Sequence, residues 1–176
     1  DLYQGTAANQ PILTIAAGGN YLTFDGSNDY LKAAAFALSQ PETVYFVGSQ
    51  VSWTLNDNFY DGDGTSSRMV LGQAATTPAV RPFAGTVDVA ADNAGLAVAT
   101  RGIITTVFSG ASSLSRINRA SSVSGSIGTN PGNGLTLGAR FDGTQAANIT
   151  AQEVVVYSTA QDENYQYRVT RLLSRR

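Results

Sequence analysis

The sequence predicts an all-β fold of two packed antiparallel sheets with one short helix at the C-terminal end. Three observations carry that prediction. Eighteen glycines and many Ser, Thr, Asn and Asp residues cut the chain into short apolar runs, the pattern of strands joined by turns. Those runs either alternate or stay continuously apolar over strand lengths. Only the last stretch changes period, and it changes to a helical one.

Residues 21–24 alternate, with Leu22 and Phe24 on one face and Tyr21 and Thr23 on the other. Asp25-Gly26-Ser27-Asn28 is turn chemistry, and the chain returns into a strand at 30–33. Residues 42–51 form an almost unbroken run of β-formers around Val44-Tyr45-Phe46-Val47, the mark of a strand covered on both sides. Further strands are expected at 68–72, 86–90, 95–99, 103–109, 114–118, 135–140 and 151–157. The inner faces should include Leu22, Phe24, Val44, Phe46, Val107, Leu137 and Val155. From 162 to 174 the apolar residues Tyr165, Val169, Leu172 and Leu173 fall at helical spacing. Asp162 and Glu163 open this segment, and Arg171, Arg175 and Arg176 close it, as a helix dipole favours. About ten short strands in irregular Gly-rich loops suit a sandwich better than a small barrel. With no repeat and no linker, the 176 residues read as a single domain, 1–176.

Composition excludes whole classes of chemistry. The chain has no Cys and no His, so a disulfide framework, a thiolate nucleophile, a Cys/His zinc site and a Ser-His-Asp triad are ruled out. Acid–base work would fall on 13 Asp and Glu residues, and any metal would be a hard, oxygen-loving ion such as calcium. A net charge of −2 with a single lysine, Lys32, argues against a nucleic-acid partner. No apolar run approaches the roughly 18 residues of a membrane span, so no membrane insertion is expected. Asp1 stands first instead of Met, which leads us to expect a chain that is processed, excised or the mature segment of something longer.

Particular residues suggest a family. The stretch Tyr21-Leu22-Thr23-Phe24-Asp25-Gly26-Ser27-Asn28-Asp29-Tyr30-Leu31 resembles the opening hairpin of laminin-G-like, concanavalin A-like lectin/glucanase domains. Val107-Phe108-Ser109-Gly110 through Asn118 is similar to that family's later strand–turn–strand. Gly134-Leu135-Thr136-Leu137-Gly138-Ala139-Arg140 and the run 149–157 resemble its closing signature. The resemblance implies a jelly-roll sandwich, and many such domains are non-catalytic modules on cell-surface, secreted or phage virion proteins.

Glycosidase chemistry needs two carboxyls about 5–5.5 Å or about 6.5–9.5 Å apart. Glu42, Glu153 and Glu163 are scattered singly, and no strand carries two carboxylates facing one cleft. Glu163 reads as a helix-dipole partner and Glu153 as structural. We therefore expect no catalytic residues and no enzyme. The densest polar cluster is Asn56-Asp57-Asn58-Phe59-Tyr60-Asp61-Gly62-Asp63-Gly64. Read as a loop, Asp57, Asp61 and Asp63 could supply oxygens to calcium, although the EF-hand spacing is not met. Trp53 precedes it, and a ring beside acceptor groups is what stacks on a sugar. The expected glycan site is therefore Trp53, Asp57, Tyr60, Asp61 and Asp63, with end-plugging aromatics as the plainer reading.

These readings combine into one expectation. The chain should be a non-enzymatic structural or adhesive module on an extracellular assembly, most suitably a virion surface, with capacity for glycan binding. Its partners would be protein subunits and surface glycans. The alternative is a dedicated carbohydrate-binding lectin domain, and the remote one is a glycoside hydrolase.

Overall fold

A computed structural model describes residues 1–86 and 96–175. Among the described residues, thirteen strands and one α-helix follow in chain order: β1 (Leu2–Tyr3), β2 (Ile12–Thr14), β3 (Tyr21–Asp25), β4 (Leu31–Ala33), β5 (Glu42–Gln50), β6 (Asn58–Asp61), β7 (Val70–Gln73), β8 (Val80–Phe83), β9 (Gly102–Phe108), β10 (Ser113–Ile117), β11 (Val123–Gly125), β12 (Thr136–Leu137), β13 (Asn148–Tyr157) and α1 (Glu163–Leu173). They form two antiparallel sheets. One has six strands in the order β1-β4-β12-β6-β7-β8, the other seven in the order β11-β10-β9-β5-β13-β3-β2. The all-β sandwich with a C-terminal helix is thus what the chain forms.

The core between the sheets gathers Phe24, Val44, Phe46, Phe59, Tyr60, Leu71, Ile104, Phe108, Leu137 and Ile149. Its rings meet edge to face, Phe46 against Phe59 at 5.2 Å and Tyr60 against Phe108 at 6.5 Å. Two buried amides tie the sheets together. Gln73 of β7 donates to Gln50 Oε1 of β5 at 2.8 Å and to the Ser52 carbonyl at 2.9 Å. Gln50 in turn donates to the carbonyls of Pro78 and Leu96.

The seven-stranded sheet is apolar on its other face as well. Tyr45, Val47 and Ile103 point away from the core and receive Val169 and Leu173 of α1. The double coverage of β5 is therefore as the sequence reads. Asp162 caps α1 by accepting the Tyr165 amide at 2.8 Å. Glu163 in the first turn meets Arg116, a residue only 1% exposed, at 2.7 Å.

Several local expectations differ from the structure. Val155 lies on the helix side and not in the inter-sheet core. A bulge between Ala151 and Glu153 shifts the register of β13, so Ala151 and Val154 face inward while Val155 and Tyr157 face out. Val107 pairs with Thr43 and so shares the outward face of Tyr45 and Val47. Residues 21–33 are not a hairpin: β3 belongs to the seven-stranded sheet and β4 to the six-stranded one. The turn between them crosses the sandwich, held by Asp25 Oδ1, which accepts the amides of Ser27, Asn28 and Asp29. The strand expected at 135–140 shrinks to β12, because the chain turns at Gly138 with φ 88°. Of the expected strand 95–99, residues 96–99 form no strand, although Leu96 is buried in the core. The expected strand 86–90 lies outside the described residues, apart from Thr86, which is not in a strand.

Candidate functional site

α1 covers the outer face of the seven-stranded sheet over Tyr45, Val47 and Ile103, and on the opposite side of the sandwich the outer face of the six-stranded sheet is indented over β6, β7 and β8. Cross-strand pairing sets which residues stand there. Asn58 of β6, Gly72 of β7 and Arg81 of β8 stand in one row, and Val70 and Phe83 in the next. Together with Asn56, Arg68, Gln73 and Gln145 they line a cleft of about 180 Å³. Gly72 forms its floor, where a Cβ would come within 3.0 Å of Asn58 Oδ1.

Asn58 is the notable group in the cleft. It is 3% exposed, its backbone N–H bonds the Gln145 carbonyl at 3.0 Å, and its side-chain Nδ2 has no hydrogen-bond partner. A buried donor left unpaired costs about 1–3 kcal/mol. Beside it, Arg68 is fixed in plane. Its Nε and Nη2 donate to Asp61 Oδ2 at 3.0 and 2.9 Å, and its guanidinium lies over the rings of Phe83 and Phe141 at 5.4 and 5.7 Å.

The sequence-predicted site is dispersed by the same pairing. Tyr60 and Asp61 do not lie on a loop; they belong to β6, are 1% and 0% exposed, and cannot meet a surface ligand. A bulge between Asn58 and Tyr60 turns both Phe59 and Tyr60 into the core. The Asp61 carboxylate is taken up by Arg68 and by the amides of Gly62 at 2.7 Å and Phe141 at 3.2 Å. Burial pushes that carboxyl up, against the pull of Arg68. Asp63 pairs with Lys32 Nζ at 3.0 Å. Asp57 is half-buried, and burial pushes its carboxyl up to about 6. Trp53 is half-buried in the segment before β6, with its Nε1 unpartnered. Among the described residues no three acidic side chains come together as a metal site would require, so the calcium arrangement of Asp57, Asp61 and Asp63 does not form.

Sequence reasoning missed Arg68, Arg81, Phe83 and Gln145 as a group. Their only shared signal was position 72, a glycine inside an expected strand, which marks a close approach or a space that must stay open.

No described protein family and no curated protein matches the sequence. Among solved structures, the chain is similar to domain 4 of AbnA, a GH43 extracellular arabinanase from Geobacillus stearothermophilus in complex with arabinotriose. That match has a TM-score of 0.68 and 11% identity, over 92% of this chain and 81% of that one. It is also similar to a GH54 α-L-arabinofuranosidase soaked with 4-nitrophenyl α-L-arabinofuranoside, at TM-score 0.65 and 16% identity, over 94% of this chain and 42% of that one. A third is Trypanosoma rangeli sialidase in complex with 2,3-difluorosialic acid, at TM-score 0.64 and 12% identity, over 90% of this chain. The chain spans 28% of that sialidase. At these identities the likeness is one of fold: the chain shares the β-sandwich found in domains of carbohydrate-active proteins.

Proposed function

We propose that this chain is a non-catalytic, carbohydrate-binding sandwich module of the concanavalin A-like, laminin-G-like kind. Its glycan occupies the cleft over β6, β7 and β8. The observation that carries the reading is the buried, unpartnered Nδ2 of Asn58 among the residues lining a cleft on the outer side of the six-stranded sheet. Amides, guanidinium groups and the Phe83 ring around it are the mixture a pyranose or furanose needs, with hydrogen bonds for hydroxyls and an apolar edge for the ring. Likeness to AbnA domain 4, captured with arabinotriose, supports the same reading. Among the described residues no carboxyl lines the cleft, and glycosidic cleavage calls for one beside the scissile oxygen. That supports binding over hydrolysis.

An adhesive role within an extracellular or virion-surface assembly has support of its own. Residues 2–24 carry no charge. Within them β1 and β2 form an edge of each sheet, and Leu2, Tyr3, Ile12, Leu13 and Ile15 are exposed. Edge strands without charged guards suit contact with protein subunits.

A panel of soluble oligosaccharides tests the glycan reading. The protein should bind at least one, release no reducing sugar, and lose binding in Gly72→Val, which the contact with Asn58 destabilises but which should still fold by circular dichroism. Undiminished binding in Gly72→Val places the glycan elsewhere, and sugar release overturns the non-catalytic reading.

A further inference from the structure

The seam between α1 and the seven-stranded sheet is polar along one side. In one row across the sheet, Arg116 of β10 pairs with Thr105 of β9, and Thr105 with Tyr45 of β5. Thr105 therefore stands between a cation and an aromatic ring on the face that α1 covers. The helix above repeats that order. On one side Val169 and Leu173 pack on Tyr45, Val47 and Ile103. On the other, Glu163 meets Arg116 at 2.7 Å, and the centre of the Tyr167 ring lies 4.6 Å from the Arg116 guanidinium. Gln166 and Thr170, one turn apart, fall between those two sets at helical spacing and so look onto Thr105.

Both walls of this seam carry polar atoms that the protein leaves unanswered. Thr105 Oγ1, Thr170 Oγ1, Gln166 Oε1 and the Nε and Nη1 of Arg116 have no hydrogen-bond partner. None of the four residues is more than 2% exposed. Their other groups are committed, Arg116 Nη2 to Glu163 and Gln166 Nε2 to the Gln161 carbonyl, each at 2.7 Å. Enclosed polar atoms that face one another without bonding mark a gap for a bridging group. The inventory of donors and acceptors names that group. Arg116 only donates, Gln166 Oε1 only accepts, and the two hydroxyls do either. A cation would be repelled by Arg116 and an anion by the Gln166 oxygen. Glu163 already answers the Arg116 charge, so the seam calls for no ion. Burial of the atoms themselves leaves no entry for a sugar. Water both donates and accepts, and it is small enough.

We infer that α1 docks on the sheet through internal water, bound between Arg116, Thr105, Gln166 and Thr170. The water accepts from Arg116, donates to Gln166 Oε1 and completes the two threonine hydroxyls. This site stands apart from the cleft and does not depend on the glycan reading. It divides the helix seat into an apolar half under Val169 and Leu173 and a hydrated half under Gln166 and Thr170.

The test is nuclear magnetic resonance of the whole isotope-labelled chain, read at the Arg116 Nε–H proton. A bound water gives that proton a cross-peak at the water frequency with opposite signs in laboratory-frame and rotating-frame spectra, whereas simple proton exchange gives the same sign in both. Thr105→Val keeps the shape of the side chain and removes one partner of the water. It should weaken the cross-peak and lower the thermal midpoint by about 2–4 °C, while Thr105→Ser keeps the cross-peak. Thr170→Val probes the opposite wall and should act in the same direction. Absence of the water cross-peak in the unaltered protein overturns the inference. So does a higher midpoint in both Val variants, because a hydroxyl buried dry gains from removal. A crystal structure with Gln166 Oε1 seated directly on Arg116 overturns it as well.

Discussion

Glu42 gives the fold a pH dependence opposite to that of ordinary carboxylates. It opens β5, faces the inter-sheet core opposite Phe108, is 0% exposed, and neither carboxyl oxygen has a hydrogen-bond partner. Burial pushes its carboxyl from an ordinary 4.5 up to about 8. Between those two values the unfolded chain releases the proton and the folded chain keeps it. The unfolded state then binds fewer protons, so stability falls as pH rises, by about 1.4 kcal/mol per pH unit. Across the window the loss is on the order of 5 kcal/mol, and it levels off once the folded protein also ionises. Glu42→Gln keeps the shape and removes the charge. Wild type and variant should match near pH 4.5 and diverge toward pH 8, with the variant more stable by several kcal/mol. Urea midpoints at fixed pH intervals, converted with a shared m-value, measure the difference. Taking the difference also cancels Asp57, whose carboxyl is raised to about 6 in both proteins. A difference that stays constant from pH 5 to pH 8, or a variant weaker at pH 8, refutes the argument.

Other substitutions test separate parts of the structure. Asp162→Ala removes the acceptor of the Tyr165 amide and should cost about 1 kcal/mol by chemical denaturation. Glu163→Gln leaves Arg116 buried without its carboxylate and should lower the thermal midpoint. Arg116 holds the Glu163 carboxyl below its usual value, so its contribution is present above about pH 4.5 and is lost as pH falls through the lowered value. Gln73→Leu strands the Gln50 side-chain Oε1 and the Thr54 amide, and should cost about 1–3 kcal/mol in urea. Gly48→Ala would drive a methyl into the Thr150 carbonyl and the Phe46 ring, which predicts a loss of about 1–3 kcal/mol or failure to express as soluble protein.

The elements legible in the sequence were those whose pattern needed no long-range partner. Val44 to Val47 is apolar on both faces because one face meets the opposite sheet and the other meets α1, and that shows as an unbroken run. The helix announced itself through its acidic opening at Asp162 and Glu163 and the spacing of Tyr165, Val169, Leu172 and Leu173. β6 was hidden because its acid is answered from outside the strand, by Arg68 and by the Phe141 amide. Asp61 is neutralised by Arg68 and lies beside Thr136, so a buried strand resembled an acidic loop. Bulges in β6 and β13 then reset the alternation that period-two reading depends on, which misplaced Val155. The cleft was hidden for a related reason. Asn58, Arg68, Arg81 and Gln145 meet only through strand pairing and the Asn58–Gln145 bond, and no local motif links them.

The placement of α1 sets the direction from which the molecule can be approached. The helix lies against the outer face of the seven-stranded sheet, and the cleft opens from the outer face of the six-stranded one, on the far side of the sandwich. A tether joined after Ser174 therefore leaves on the back of the domain. Anchored that way, whether to a sensor chip, a bead or a neighbouring polypeptide, the domain stands with its cleft turned outward, and many copies side by side would present parallel clefts to one surface. Weak single contacts would then add up through multivalency.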